Sequence, residues 1–277
     1  MPEGPEIRQA ADRIAAAIEQ QELTAVFFAF DSLKPYESTL AKQMVTRVEP
    51  RGKAMLIRFD NGLNIYSHNQ LYGKWMVRNA HSYPDTKRQL RLAIHTPRKS
   101  ALLYSASDID VLPNEDLGLH PFLSRIGPDV LDPAMTPNAV AQRLGETAFH
   151  RRQLATLLLD QHFLAGLGNY LRSEILFDAG VYPTHRPADC PPEAIRRLGE
   201  SAIALSRRSY DTGGITNDLD LAMALKAEGL PRRAYRHYVF GRDGKPCYRC
   251  STAIIKETFG GRRCYYCPVC QPTAPSP

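Results

Sequence analysis

The chain has 277 residues, 43% of them hydrophobic, and a formal net charge of +6. That length suggests about two domains with real cores, and the basic excess is compatible with a polyanionic partner without requiring one. No run approaches the ~20 apolar residues of a membrane span. The opening MPEGPEIRQA lacks the basic-then-apolar signature of a secretion signal, so the chain reads as cytosolic. Six cysteines in a reducing compartment read as metal ligands rather than disulfides.

Residues 5 to 20 carry Ile7, Ala11, Ile14 and Ile18 at helical spacing, with Pro5 suited to a first turn. From about 23 to 112 the pattern becomes strand-like. LTAVFFAF, QMVTRVEP, AMLIRFD, LNIYSH, KWMVRN, RQLRLAIHT and ALLYSAS are short and rich in β-branched and aromatic residues, and Asn61-Gly62 marks a hairpin. A β-sandwich or barrel is expected. The segment LHPFLSRIGPDVLDPAM (119–135), rich in proline and glycine, reads as a boundary. Helices follow: TPNAVAQRLG with Thr136 as N-cap and Pro137 at the first position, then RRQLATLLLDQHF, NYLRSEILFDAG and PEAIRRLGESAIALSRRSY. Residues 211 to 235 read either as a short helix, LDLAMALKAEG, or as a mobile loop. The last unit begins near 236 and carries hairpin signals at Asp243-Gly244 and Gly260-Gly261.

Cys247-Tyr-Arg-Cys250 is followed after sixteen residues by Cys267-Pro-Val-Cys270. Two CxxC pairs so spaced fit one structural zinc ion held by four thiolates, the alternative being free thiols in a small core. Cys264 also lies near Cys267, but Cys267 and Cys270 match the first pair symmetrically. Cys264 then packs as a small hydrophobe, and Cys190 is a free thiol in a proline-rich turn. Arg232, Arg233, Arg236, Arg242, Lys245, Arg249, Lys256, Arg262 and Arg263 face only Asp243 and Glu257 over 232–263, which reads as a phosphate-binding surface.

MPEGPEI, HNQLYG, HPFLSRIGPDVL, DQHFLAGLGNY and CYRC…RRCYYCPVCQ stand in order from Pro2 to Gln271. Together they resemble the formamidopyrimidine-DNA glycosylase/endonuclease VIII family, nearest its endonuclease VIII branch. The resemblance implies an α+β multidomain chain that binds DNA in a cleft. It divides into an N-terminal β-sandwich catalytic domain flanked by helices (1–124), a linker (125–135), a helix-two-turn-helix domain (136–235), a β-hairpin zinc finger (236–271) and a disordered tail (272–277). It also implies a bacterial, cytoplasmic monomer acting at the nucleoid.

By the same resemblance Pro2, freed by removal of Met1, is the nucleophile. An α-amino group with a pKa near ~8 keeps a useful neutral fraction at pH 7. Glu3 beside it shuttles protons. Glu6 orders water or the terminus, or serves as a first-turn carboxylate. Lys53, at the start of a strand, pairs with phosphate near the lesion. Gln70, Leu71 and Tyr72 fill the gap left by a flipped nucleotide. Arg125 reaches phosphate, and Asn169 caps a helix whose N-terminus suits phosphate. Glu174 supports the site from within that helix. Arg262, five residues before Cys267 at the position of the family's finger arginine, clamps phosphate and assists a second elimination; strand alternation turns only one of Arg262 and Arg263 toward DNA.

The implied activity is that of a bifunctional glycosylase and abasic-site lyase acting on double-stranded DNA. It removes oxidised pyrimidines, with β,δ-elimination through a Pro2 Schiff base. The alternatives are the same chemistry on oxidised purines and a non-catalytic binder of damaged DNA. Residues 211–235 do not align convincingly with the family pattern.

Overall fold

The computed structural model describes residues 2–273. It holds two compact units, the first ending at Arg125 and the second beginning at Ile126. Among the described residues no helix is long and apolar enough to cross a membrane.

The first unit opens with α1 (Gly4–Ile18). Ile7, Ala11, Ile14 and Ile18 are each at most 2% exposed, so the predicted stripe is the buried face. Burying each isoleucine is worth about 1.5–3 kcal/mol. Eight strands follow, with a short helix α2 (Pro35–Leu40) after the first: β1 (Ala25–Phe28), β2 (Val45–Arg51), β3 (Ala54–Phe59), β4 (Leu63–His68), β5 (Lys74–Asn79), β6 (Leu90–His95), β7 (Lys99–Tyr104) and β8 (Asp108–Pro113). They form two four-stranded sheets, ordered β1-β6-β7-β5 and β2-β3-β4-β8. All pairs are antiparallel.

One core joins Val26 and Phe28, Met55 and Ile57, Leu92 and Ile94, and Ile14 of α1. The alternate residues Ala54, Leu56 and Tyr66 pack on the opposite face beneath Phe122 and Leu123. This is a sandwich with period-2 strands whose inner faces share α1. Strand β8, DIDVLP, is absent from the sequence reading. It is an edge strand that turns Ile109 and Val111 inward, and its acids and Pro113 mask that alternation.

The second unit contains α3 (Pro137–Leu144), α4 (Leu154–Leu157), α5 (Asn169–Asp178), α6 (Pro192–Asp211), α7 (Leu219–Ala227), α8 (Arg232–Tyr235), β9 (Ile255–Phe259) and β10 (Arg262–Tyr266). Thr136 caps α3 as expected, its Oγ1 accepting from the Ala139 N–H at 3.1 Å. The helix expected over RRQLATLLLDQHF shortens to α4. Beyond it, side chains take over the backbone. Asp160 Oδ1 accepts from the His162 N–H at 2.9 Å. Gln161 donates to the carbonyls of Leu159 (3.0 Å) and Leu167 (2.9 Å) and accepts from the Gly166 N–H (3.0 Å). Such local bonds offer the chain an alternative to helix.

The segment left open, 211–235, is α7 and α8. Asp218 caps α7 through the Leu221 N–H at 3.0 Å, and Arg232 donates to the Gly213 carbonyl at 2.6 Å. Of the tail expected to be disordered, 274–277 lie outside the described residues. The Thr273 carbonyl accepts from His185 Nε2 at 2.8 Å.

Strands β9 and β10 form the hairpin expected at Gly260-Gly261. Both glycines have positive φ, 55° and 75°. Such a two-residue turn follows the right-handed strand twist. A Cβ at Gly260 would lie 2.7 Å from Thr156 Cγ2, so the tip sits directly on α4. Phe259, Cys264 and Tyr266 join the helical core.

Candidate functional site

In the first unit, Pro2 is half-buried and Glu3 only 3% exposed. Glu3 is the N-cap of α1, and its N–H donates to Glu6 Oε2 at 3.0 Å. Glu6 is therefore a capping residue that fixes the backbone beside Pro2. Met1 lies outside the described residues.

Lys53 is not in a strand. Gly52 and Lys53 form the turn between β2 and β3. The register pairs Ala54 with His68, so Lys53 lies at the sheet end from which the HNQLYG loop departs. Burial holds the His68 pKa below its usual value, Asp108 opposes that, and the Lys53 charge adds to it. The Gln70 N–H donates to His68 Nδ1 at 3.2 Å, which leaves the neutral ring's proton on Nε2. His68 was not singled out in the sequence, because a histidine at a strand end has no signature of its own.

The loop carries a chosen shape. Gly73 N–H donates to the Asn69 carbonyl at 2.7 Å. A Cβ at Gly73 would lie 2.6 Å from the Asn69 backbone, so only glycine closes it. Gln70 Oε1 accepts from Ser107 Oγ at 2.8 Å. Leu71 and Tyr72 stand out from the surface, 57% and 70% exposed. Large apolar side chains so displayed on a tight turn mark a contact surface. Arg125 is exposed at the end of this unit.

In the second unit, the side chain of Gln161 shapes the turn before α5. Asn169 is not the cap. Gly168 occupies that position, and Asn169 is the first helical residue, half-buried. Its N–H is among those that a helix start leaves without an intrahelical partner.

Two fully buried charged residues of α5 organise the rest. Glu174 accepts from Thr216 Oγ1 (2.6 Å) and from the N–H groups of Tyr238 (2.7 Å), Val239 (2.8 Å) and Phe240 (2.9 Å). Burial pushes its pKa up, and the four donors oppose that. Arg172 donates to the carbonyls of Ala155 (2.9 Å) and Arg263 (2.5 Å). Sequence reading missed Arg172 and gave Glu174 no partners. Glu174 anchors the start of the finger, and Arg172 holds β10 where its arginines lie.

Arg262 and Arg263 are both exposed. Alternation places Arg263 with Tyr265, and its charge reaches Asp243. Arg262 shares the side of Cys264 and Tyr266, which pack on the helical core. The basic run is less uniform than its sequence suggests. Arg249 pairs with Asp178 at 2.6 Å and Lys256 with Asp243 at 2.7 Å. Arg242 is buried, donates to the Pro246 carbonyl at 2.7 Å and stacks on Tyr248. Arg232 and Arg236 hold the Gly213 and Gly214 carbonyls. Arg232, Arg233, Lys245, Arg249, Lys256, Arg262 and Arg263 are exposed, and of these Arg232, Arg249 and Lys256 are tied to the partners just named.

The sulfurs of Cys247, Cys250, Cys267 and Cys270 lie within 4.8 Å of one another, a donor set for one metal ion. The N–H groups of Arg249 and Cys270 point at the Cys247 and Cys267 sulfurs, at 3.4 and 3.5 Å. Gln271 braces the second knuckle, accepting from the Cys267 N–H and donating to the Val181 carbonyl, both at 2.9 Å. Cys264 is outside this cluster, fully buried beside Ser173 Oγ at 3.6 Å. Burial, with Asp189 adding, pushes the Cys190 thiol up to about 11.

Residues 1–107 match the family profile of the formamidopyrimidine-DNA glycosylase N-terminal domain, and residues 126–219 that of its H2TH domain. The chain is 50% identical over 271 residues to Endonuclease 8 of Escherichia coli K12, covering 98% of this chain and 100% of that protein. The same figures hold for Endonuclease 8 of Salmonella enteritidis. Among solved structures, Lactococcus lactis formamidopyrimidine-DNA glycosylase bound to DNA containing an abasic site superposes with a TM-score of 0.80 at 18% identity. That match covers 98% of this chain and 100% of the other.

Proposed function

The chain belongs to the formamidopyrimidine-DNA glycosylase family and works as a bifunctional DNA glycosylase and abasic-site lyase in base excision repair; we propose that it does so through Pro2 and acts chiefly on oxidised pyrimidines. The observation that carries the chemistry is the start of α1. A half-buried proline is followed by a buried carboxylate whose backbone is fixed by Glu6.

With Met1 removed, the Pro2 nitrogen lone pair forms a bond to the anomeric carbon. The C–N bond to the damaged base breaks, and the base leaves with that pair and a proton. Glu3 protonates the ring oxygen, and opening the sugar gives an iminium. The iminium withdraws electrons, so the adjacent sugar carbon loses a proton and the 3′ C–O bond breaks. A second proton loss, further along the sugar, breaks the 5′ C–O bond. Lys53 and Arg262 stabilise the departing phosphates. Arg125 and the N–H of Asn169 hold further phosphates. Gln70, Leu71 and Tyr72 occupy the space of the extruded nucleotide. Having the whole wedge on one loop supports the pyrimidine preference.

The metal is proposed as zinc. A tetrahedral zinc with ~2.3 Å bonds separates its sulfurs by roughly 3.8 Å. The Cys250–Cys267 and Cys247–Cys270 sulfurs lie 3.4 and 3.9 Å apart. The ion holds the finger and takes no part in the chemistry.

Borohydride reduction tests the mechanism. An iminium formed at Pro2 is trapped as a covalent protein–DNA adduct on duplexes carrying thymine glycol or an abasic site. No adduct with the wild type, or full trapping when the N-terminus stays blocked, removes Pro2 as nucleophile. Faster cutting of oxidised guanine opposite cytosine would assign the enzyme to purines.

A further inference from the structure

We propose that Arg88 is a positioning residue for the wedge loop, holding Leu71 and Tyr72 in their inserted shape before DNA arrives. The inference rests on the wedge reading of Gln70-Leu71-Tyr72 given above. Its physical basis is one long-range bond onto a loop that has few others. Arg88 Nη1 donates to the Tyr72 carbonyl at 2.6 Å. The two residues are far apart in sequence but close at one end of the sheet. Strands β5 and β6 flank β7, and Lys74 and Leu90 both stand opposite Tyr104. Residue 88, just before β6, therefore reaches past the end of β7 to the loop that enters β5.

The arm that delivers Arg88 is itself fixed. Its first part, from Ala80, is latched to the β6–β7 hairpin. The Ala80 N–H donates to the Arg98 carbonyl at 3.0 Å, and the His81 N–H to Ser100 Oγ at 3.0 Å. His95 then bridges Ser100 Oγ (2.6 Å) and the Tyr83 hydroxyl (3.1 Å), with its ring stacked on His81. At the far end the Ser105 N–H donates to the Gln89 carbonyl at 2.8 Å. Arg88 thus projects from a segment anchored on both sides.

The bond falls on the wedge's last residue, and Ser107 holds its first at Gln70. Between these two points the Leu71 and Tyr72 side chains project into solvent. A loop held at both ends loses less freedom when it enters the duplex, so more of the binding free energy goes into extruding the nucleotide. Arg88 acts through the Tyr72 main chain, so any residue that donates to that carbonyl serves. A residue that contacts phosphate would instead need its charge.

The test uses the full-length protein with Arg88→Ala, Arg88→Gln, Leu71→Ala and the L71A/R88A double variant. Single-turnover base release from a thymine glycol duplex is measured beside strand cleavage at a preformed abasic site, each over a salt series. An abasic nucleotide needs less extrusion, so it is the internal control. R88A is expected to slow base release about 3- to 10-fold, with abasic-site cleavage changed less than about twofold. R88Q recovers most of the rate, the salt slope is unchanged, and the double variant is no slower than L71A.

Equal slowing of both reactions with a salt slope smaller by about one would make Arg88 a phosphate contact and overturn the proposal. Additive effects in the double variant, or a failure of R88Q to recover, overturn it too. If L71A is slow and R88A is not, the brace alone is wrong. If L71A is as fast as wild type, the wedge reading falls and the brace with it.

Discussion

Replacing Glu174 with glutamine should loosen the attachment of the finger to α5. The side chain is fully buried and accepts four hydrogen bonds. Glutamine keeps the volume but turns one acceptor into a donor. The cheaper orientation puts its nitrogen at the Oε2 position, where the Thr216 hydroxyl can rotate to accept. The Tyr238 N–H cannot rotate and is left buried without an acceptor, which costs about 1–3 kcal/mol. The two bonds that persist, to Val239 and Phe240, lose their charge assistance, about 1 kcal/mol each. Removing a fully buried charge returns part of this. The net expectation is about 2–4 kcal/mol, a large share of a typical stability of about 5–15 kcal/mol.

The lone tryptophan, Trp75, is in the first unit, so its fluorescence is blind to this change. Hydrogen exchange at the amides of 238–240, with urea unfolding followed by circular dichroism, reads it directly. Wild-type protection at those amides in E174Q, with stability within about 0.5 kcal/mol, would refute the carboxylate's role as anchor.

Acid should destabilise the second unit through His237. Burial, with Arg236 and Arg232 adding, lowers its pKa to about 3. The unfolded chain binds that proton near pH 6.5 and the folded one only near 3, so stability falls as pH drops through this window. The slope is about 1.4 kcal/mol per pH unit at its steepest. Urea midpoints between pH 7 and 4 check it, and a His237→Gln protein with the same slope would contradict it. Removing the metal should unfold the finger and abolish DNA binding. Elemental analysis is expected to give one zinc per chain, and iron or no metal in the purified protein would overturn the assignment.

What the sequence made legible is what local chemistry encodes. The two CxxC pairs, the Gly260-Gly261 turn and the Thr136 cap each lie within a few residues, and the chain folds there as expected. The helix after Gln153 was overestimated because the apolar residues from Leu154 to Leu167, the half-buried Leu159 apart, are all buried. Their pattern does not separate helix from turn, and Gln161 decides for turns. Glu174 and Arg172 were opaque for the opposite reason. The partners of Glu174 and the Arg263 partner of Arg172 lie 42 to 91 residues downstream, and nothing near them in sequence signals burial. The basic run misled because charge in a sequence does not distinguish an arginine facing water from one stacked on Tyr248 or paired with Asp178.

The two glycines at the hairpin tip are alike in sequence and backbone but not in surroundings. At Gly261 a Cβ would meet nothing within 4 Å, whereas at Gly260 it meets the methyl of Thr156. A cysteine at 261 would collide with nothing, and its cost is confined to a positive φ that L-residues rarely adopt. A dye attached there would ride immediately beside Arg262, the residue proposed to grip the phosphate. The same substitution at 260 would lift the tip off its helix. One turn thus offers a reporter position and, one residue earlier, a place where any side chain displaces what it was meant to watch.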